Sequence, residues 1–296
     1  MKKHASFIPL LAVLLCLAAC GPAAGVPVEN PTADLTSRGE PSSFGIPTIP
    51  PPAGTTAGSG AQGGAQNGAP EPSTKFIDVV SVVIPEGFTF YQIARRLEAS
   101  GVCSAVQFTN AAQAYQVQSF AVPASPRACY RLEGMLYPDT YDFYLGETPE
   151  SVLRKFLNNY AEKSGLPDYN LLILASIIER ETRSSEHMAM VSSVFHNRLA
   201  RGMRLQADAT IAYAQEHINA NPLVQNPGQY ADLYNTYKCP ALPEGPICSP
   251  SRRAIDAARN PSASDYLYYF FGRDNTNHYT KSYEEHLAAI KIYGLG

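Results

Sequence analysis

The sequence predicts an α+β fold: a small strand-and-helix unit, then a larger mixed α/β region, both preceded by a disordered linker. Three observations carry this. Residues 21 to 74 are mostly Pro, Gly, Ala, Ser and Thr, a composition that buries too little apolar surface to offset the entropy of ordering the chain. A β-branched run, Val79-Val80-Ser81-Val82-Val83-Ile84, is followed at once by apolar residues at helical spacing. Beyond it, helical patterns alternate with loops, the most apolar being Leu171 to Glu181 (LLILASIIERE).

The 296 residues are 45% hydrophobic and 17% charged, enough for a packed core of one or two domains. The formal net charge is −3 and no Lys/Arg run is present, which argues against a nucleic-acid partner.

The elements follow in order. Lys2 and Lys3 precede an apolar run from Phe7 to Ala19 that ends in small residues, the pattern of an export signal. Leu17-Ala18-Ala19-Cys20 resembles a bacterial lipobox, which implies a signal peptide over 1–19, a mature start at Cys20 and an acyl anchor on that cysteine. The run is shorter than the roughly 20 residues that a membrane span needs. The expected location is the extracytoplasmic face of a bacterial cell membrane, lipid-anchored at Cys20. Residues 20–75 then read as a tether, with a root-mean-square reach of roughly 40 Å if it is a flexible coil. Export also suits the remaining cysteines, Cys103, Cys129, Cys239 and Cys248: their even number in an oxidising compartment predicts disulfides. Three pairings are possible, and proximity along the chain favours Cys103 with Cys129 and Cys239 with Cys248.

A strand is predicted over Ile77 to Ile84, closed by the turn Pro85-Glu86-Gly87. Thr89 is a candidate N-cap for a helix carrying Ile93, Ala94 and Leu97 and ending near Ser100-Gly101. This unit, bounded at 76–125, resembles a LysM-like module, a strand, turn and helix that bind amino-sugar polymers; an ordinary βα unit of the core has the same pattern, and both readings stay open. Helical patterns recur over Val106 to Val117 and Pro149 to Leu157. Between them lies Leu132 to Tyr141, dense in aromatic and acidic residues, a composition shared by sugar-facing loops and plain turns.

Asp168 is a sound N-cap for the helix that follows. At about 100° per residue, Glu181 projects between Leu174 and Ile177, on the face predicted to be buried, and Glu179 points toward Leu172 and Ala175. A carboxylate that loses hydration holds its proton to higher pH, as a general acid for glycosidic cleavage must. That selects Glu181, with Glu179 as a structural partner of some arginine. The plain alternative makes Glu181 only the polar end of a core helix, kept ionised by Arg180 and Arg183.

Four blocks carry a wider resemblance: Ala175-Ser176-Ile177-Ile178-Glu179-Arg180-Glu181-Thr182, Val194-Phe195-His196-Asn197-Arg198-Leu199, Gly202-Met203-Arg204-Leu205-Gln206-Ala207-Asp208, and Tyr234-Asn235-Thr236-Tyr237. In this order they resemble the endolytic murein transglycosylase (YceG-like, or MltG-like) family, with further agreement at Leu242-Pro243, Gly245-Pro246-Ile247, Asp265-Tyr266-Leu267-Tyr268 and His278. The resemblance implies a catalytic domain over 126–296, a lytic transglycosylase cutting nascent peptidoglycan between N-acetylmuramic acid and N-acetylglucosamine to leave 1,6-anhydro ends, and Glu181 as its catalytic residue. It also implies that Glu133, Tyr137, Asp139, Asn197, Gln206, Asp208, Tyr234, Asn235, Thr236 and Tyr237 face the glycan. Peptidoglycan synthases are conceivable partners. No metal or organic cofactor is suggested, because HExxH, GxSxG and phosphate-binding glycine loops are absent. The chain departs from the family pattern at Ala241, Glu244, Ser249 and Ser251, and a Cys239–Cys248 disulfide is one way to hold that altered loop. Two other readings stay open: a lysozyme-type hydrolase pairing Glu181 with Asp208 or Asp139, and a non-catalytic wall-binding lipoprotein.

Overall fold

A computed structural model of the chain describes residues 78–125 and 127–294. The export signal, Cys20 and the tether lie outside the described residues. Strand β1 (Val79–Ile84) alternates exposed and buried side chains and turns at Gly87, whose φ of +78° suits a residue without a Cβ. Thr89 closes a capping box with Gln92 and starts helix α1 (Phe90–Ala99), whose Phe90, Ile93, Ala94 and Leu97 are buried. Helix α2 (Ala105–Ala114) follows, capped by Ser104.

The unit does not close at residue 125. Its second strand, β2 (Asp139–Tyr144), pairs antiparallel with β1 from Val79↔Tyr144 to Ile84↔Asp139, so the last three residues of the Leu132 to Tyr141 segment, Asp139 to Tyr141, are strand. The register turns Tyr141 and Phe143 onto the side where Val82 and Ile84 are buried. The small unit is therefore strand, helix, helix, strand, and its core is continuous with the rest: Phe90 stacks on Phe108 at 5.4 Å and on Tyr130 at 5.0 Å.

Helix α3 (Pro149–Lys163) follows, with Pro149 at its first turn. Helix α4 (Tyr169–Glu181) is capped by Asp168, which accepts from the Leu171 amide at 2.9 Å. Helix α5 (Ser185–Ala200) leads to α6 (Asp208–Tyr213), a π-helical turn over Ala214–Asn219, a 3-10 turn over Pro227–Tyr230 and the short α7 (Ala231–Tyr234). Helix α8 (Arg252–Arg259), the hairpin β3 (Tyr268–Phe271) and β4 (Asn277–Thr280), and α9 (Tyr283–Tyr293) complete the described chain. This is an α+β architecture, with two small antiparallel sheets among the described helices. No helix among the described residues is long and apolar enough to cross a membrane.

The loop from 239 to 251 is held without a disulfide. Cys103, Cys129, Cys239 and Cys248 are free thiols. Nearness along the chain does not align the side chains: Cys239 Sγ faces the Asp232 and Leu233 carbonyls, whereas Cys248 Sγ faces that of Ser176 on α4. Glu244 instead accepts from Ser125 Oγ and Arg127, and Ser176 Oγ accepts from the Ile247 amide at 3.0 Å. Ser249 exchanges backbone hydrogen bonds with Gly87 and Phe88, clasping the β1–α1 turn.

Candidate active site

Helix α4 is enclosed on every side from Leu172 to Glu179. Burial by face therefore does not separate its two glutamates, contrary to the expectation from helical periodicity. What separates them is what each carboxyl meets. Glu179, 8% exposed, accepts from the Ser251 amide at 2.9 Å and the Ser251 hydroxyl at 2.6 Å. Ser251 is also the N-cap of α8, so this carboxyl is hydrogen-bonded to a helix start, while Arg253 bears on it through its charge. Burial raises its pKa and the two Ser251 bonds oppose the rise.

Glu181, the last residue of α4, is only partly enclosed. Its Oε2 accepts from the Tyr269 hydroxyl at 2.8 Å. Loss of hydration pushes its pKa above the ordinary carboxylate value, and the nearby Asp208 charge adds to the rise. The Tyr269 hydrogen bond and the Arg198 charge oppose it. Arg198 of α5 is a cation that bears on Glu181, and Arg180 reaches back to the Gly87 carbonyl.

Each neighbour is held by its own element. Tyr269 lies on β3, its ring edge-on to Phe195 at 6.0 Å and tilted on Tyr279 of β4 at 6.4 Å. Arg198 is buried and donates at 2.6 Å to both the Leu267 and Leu205 carbonyls. One guanidinium so joins α5, the hairpin and the segment before α6. Asp208, exposed at the start of α6, accepts from the Tyr237 hydroxyl at 2.6 Å. Thr236 fixes this arrangement: its Oγ1 accepts from the Ala207 amide at 2.9 Å and its carbonyl from the Gln206 amide at 3.2 Å. A carboxyl of raised pKa, a phenol donor and a flanking Asp–Tyr pair are the kinds of groups that acid/base chemistry uses.

The model of the YceG-like family matches residues 67–292. The chain belongs to the YceG-like family. It is similar to two proteins named endolytic murein transglycosylase: one from Streptococcus pneumoniae serotype 2 (strain D39 / NCTC 7466), 31% identical over 240 residues, which are 70% of this chain and 43% of that protein, and one from Bacillus subtilis (strain 168), 34% identical over 178 residues, 55% of this chain and 48% of that protein. This YceG-like chain therefore spans less than half the length of these relatives. A 2.6 Å crystal structure of a putative yceG-like protein from Listeria monocytogenes superposes with a TM-score of 0.56 at 29% identity, covering 70% of this chain and 74% of that one.

Of the residues expected to face the glycan in this YceG-like chain, Asp208 and Tyr237 join Glu181, and Gln206 is exposed two positions before Asp208. Others serve the framework. Glu133 is buried, accepting from the Phe90 amide and the Tyr213 hydroxyl at 2.9 Å each. Tyr234 is buried against Tyr213 with ring centroids 5.0 Å apart. Thr236 is likewise buried, and Asn235 shapes the turn by accepting from the Tyr237 amide at 3.0 Å. The Asn197 amide donates to the Ser264 and Tyr266 carbonyls. Asp139 takes Asn159 and Lys163 of α3, and the Tyr137 carbonyl accepts from Tyr141 at 2.6 Å. His278 pairs with Asp274 and stacks on Tyr293 at 4.3 Å, pinning the hairpin to α9. The sequence reading missed the roles of Tyr269 and Arg198; the aromatic run Tyr268-Tyr269-Phe270-Phe271 was the available signal.

Proposed function

We propose that this chain is a lytic transglycosylase of peptidoglycan, with Glu181 as its single acid/base. The observation that carries the reading is the Glu181 carboxyl itself, partly open, raised in pKa and held by a phenol. Protonated Glu181 gives its proton to the glycosidic oxygen as the bond from the muramic C1 to that oxygen breaks. The resulting carboxylate takes the proton of the C6 hydroxyl, whose oxygen closes onto C1. The product is a 1,6-anhydro end, and no water is consumed. One carboxyl that alternates between the two states suffices, whereas a hydrolase needs a second carboxylate as nucleophile or water activator.

Relatives named endolytic murein transglycosylases support the substrate class. Asp208 and Tyr237 are assigned to the glycan groove with Gln206. In the same proposal the β1-α1-α2-β2 unit is a LysM-like glycan-binding element, and an acylated Cys20 anchors the chain to the membrane through the tether, within reach of synthases that make new strands. A second reading, hydrolysis with Asp208 as the other carboxylate, has one observation in its favour: Asp208 bears electrostatically on Glu181. Asp139, committed to Lys163, has no such link.

The test is Glu181→Gln, which keeps the side chain's shape and removes the transferable proton. Release of fragments from purified glycan strands is expected to fall by about 10²- to 10⁴-fold with the fold intact by circular dichroism. A variant that cleaves at the wild-type rate removes Glu181 from the mechanism.

A further inference from the structure

We propose that Tyr269 is the positioning residue of Glu181: its hydroxyl holds Oε2 in place so that Oε1 alone faces the glycan and carries the proton in both halves of the reaction. This rests on the reading of Glu181 as the acid/base. The geometry is built for it. The phenol has one hydrogen, and it is donated to Oε2 at 2.8 Å. Oε1 makes no hydrogen bond within the described residues. While the phenol donates to Oε2, a proton there would meet the phenol's hydrogen, so this donor geometry favours the acid form on Oε1.

The ring cannot drift far from that position. Phe195 of α5 meets it edge-on and Tyr279 of β4 covers it, while the Tyr279 hydroxyl lies 3.3 Å from His187 Nδ1. Arg198 anchors the start of the hairpin by donating to the Leu267 carbonyl, so α5 aims both the phenol's strand and the cation. A glutamate at a helix end has rotamers to lose, and this clamp removes them before substrate arrives.

Tyr269, Asp208, Arg198 and Tyr237 bear on Glu181. Because cleavage starts from protonated Glu181, turnover falls as pH rises through its pKa. A hydrogen-bond donor to the carboxylate favours ionisation, so its removal moves that falling limb to higher pH.

Tyr269→Phe tests this in the full chain, beside wild type and Glu181→Gln, with turnover on purified glycan strands followed across pH. The expected result is a kcat lower by about tenfold or more with KM unchanged, and a falling limb displaced upward. A merely structural tyrosine would lower thermal stability and leave the midpoint where it was. Wild-type kcat and midpoint in Tyr269→Phe, with Glu181→Gln inactive, overturns the role of Tyr269 alone; a fully active Glu181→Gln overturns the reading beneath it. If Tyr269→Phe does not fold, 3-fluorotyrosine at position 269 keeps the ring and strengthens the donor. The limb must then move downward, and an unmoved limb refutes the proposal.

Discussion

Glu179 and Glu181 sit two residues apart on one helix and are put to different use by what reaches them. Ser251 satisfies the first from two sides, and one phenol holds the second while leaving it partly open. Asp208 acts on Glu181 as a like charge. Asp208→Asn is therefore expected to lower the Glu181 pKa and move the falling limb of the pH–rate profile to lower pH, opposite in sign to Tyr269→Phe; a limb displaced upward in the asparagine variant contradicts the charge arrangement. The proposal of Glu181 comes from its motif; helical periodicity could not have separated it from Glu179, because α4 has no solvent face between Leu172 and Glu179. Tyr269 was not legible: a tyrosine in an aromatic strand looks like core until the fold brings its hydroxyl to a carboxyl 88 positions away.

At the scale of elements, caps and local apolar patterns were legible because their causes are local. Thr89 and Asp168 cap the helices that follow them, and the strand at Val79–Ile84 forms as its β-branched residues predict. The pairing of β1 with β2 was not legible, since it is decided by which distant strand shares the core. The composition of the loop from Glu133 to Tyr141 fitted a sugar-facing loop or a plain turn, and the family resemblance implied the former; its first carboxyl joins α1 to α6. Gly134 at φ +80° is required there: a Cβ would lie 2.8 Å from that of Pro246.

The buried Glu133 junction has a pH signature. Burial pushes its pKa from 4.5 up to about 7, against the opposing bonds from Tyr213 and Phe90. The folded state therefore holds a proton that the unfolded state has released between these two values. Its stabilising contribution is complete below the unfolded pKa near 4.5 and is lost as pH rises to about 7. Relative to Glu133→Gln, wild type should lose on the order of 3 kcal/mol across that window. Urea unfolding of both proteins at pH 4.5 to 7.5 measures it, and parallel curves contradict the junction.

Across the whole molecule, the small N-terminal unit and the region carrying Glu181 share one core rather than meeting at a boundary near residue 125. The β1–α1 turn is clasped by Ser249, whose neighbour two positions on holds Glu179. The same loop from 239 to 251, where the chain departs from its family's pattern, docks on α4 through Ser176 and places its cysteines apart from one another. Three of the four departures stand at such contacts, Ser249 at the β1–α1 turn, Ser251 at Glu179 of α4 and Glu244 at Ser125 and Arg127, whereas nothing in the structure explains the exposed Ala241.

The central claim concerns a reaction that needs one carboxyl and no water. Mass analysis of the ends released from purified glycan strands in water enriched in oxygen-18 tests it most directly. The account predicts 1,6-anhydromuramic ends without incorporated label; reducing muramic ends carrying oxygen-18 would contradict it and favour hydrolysis with Asp208.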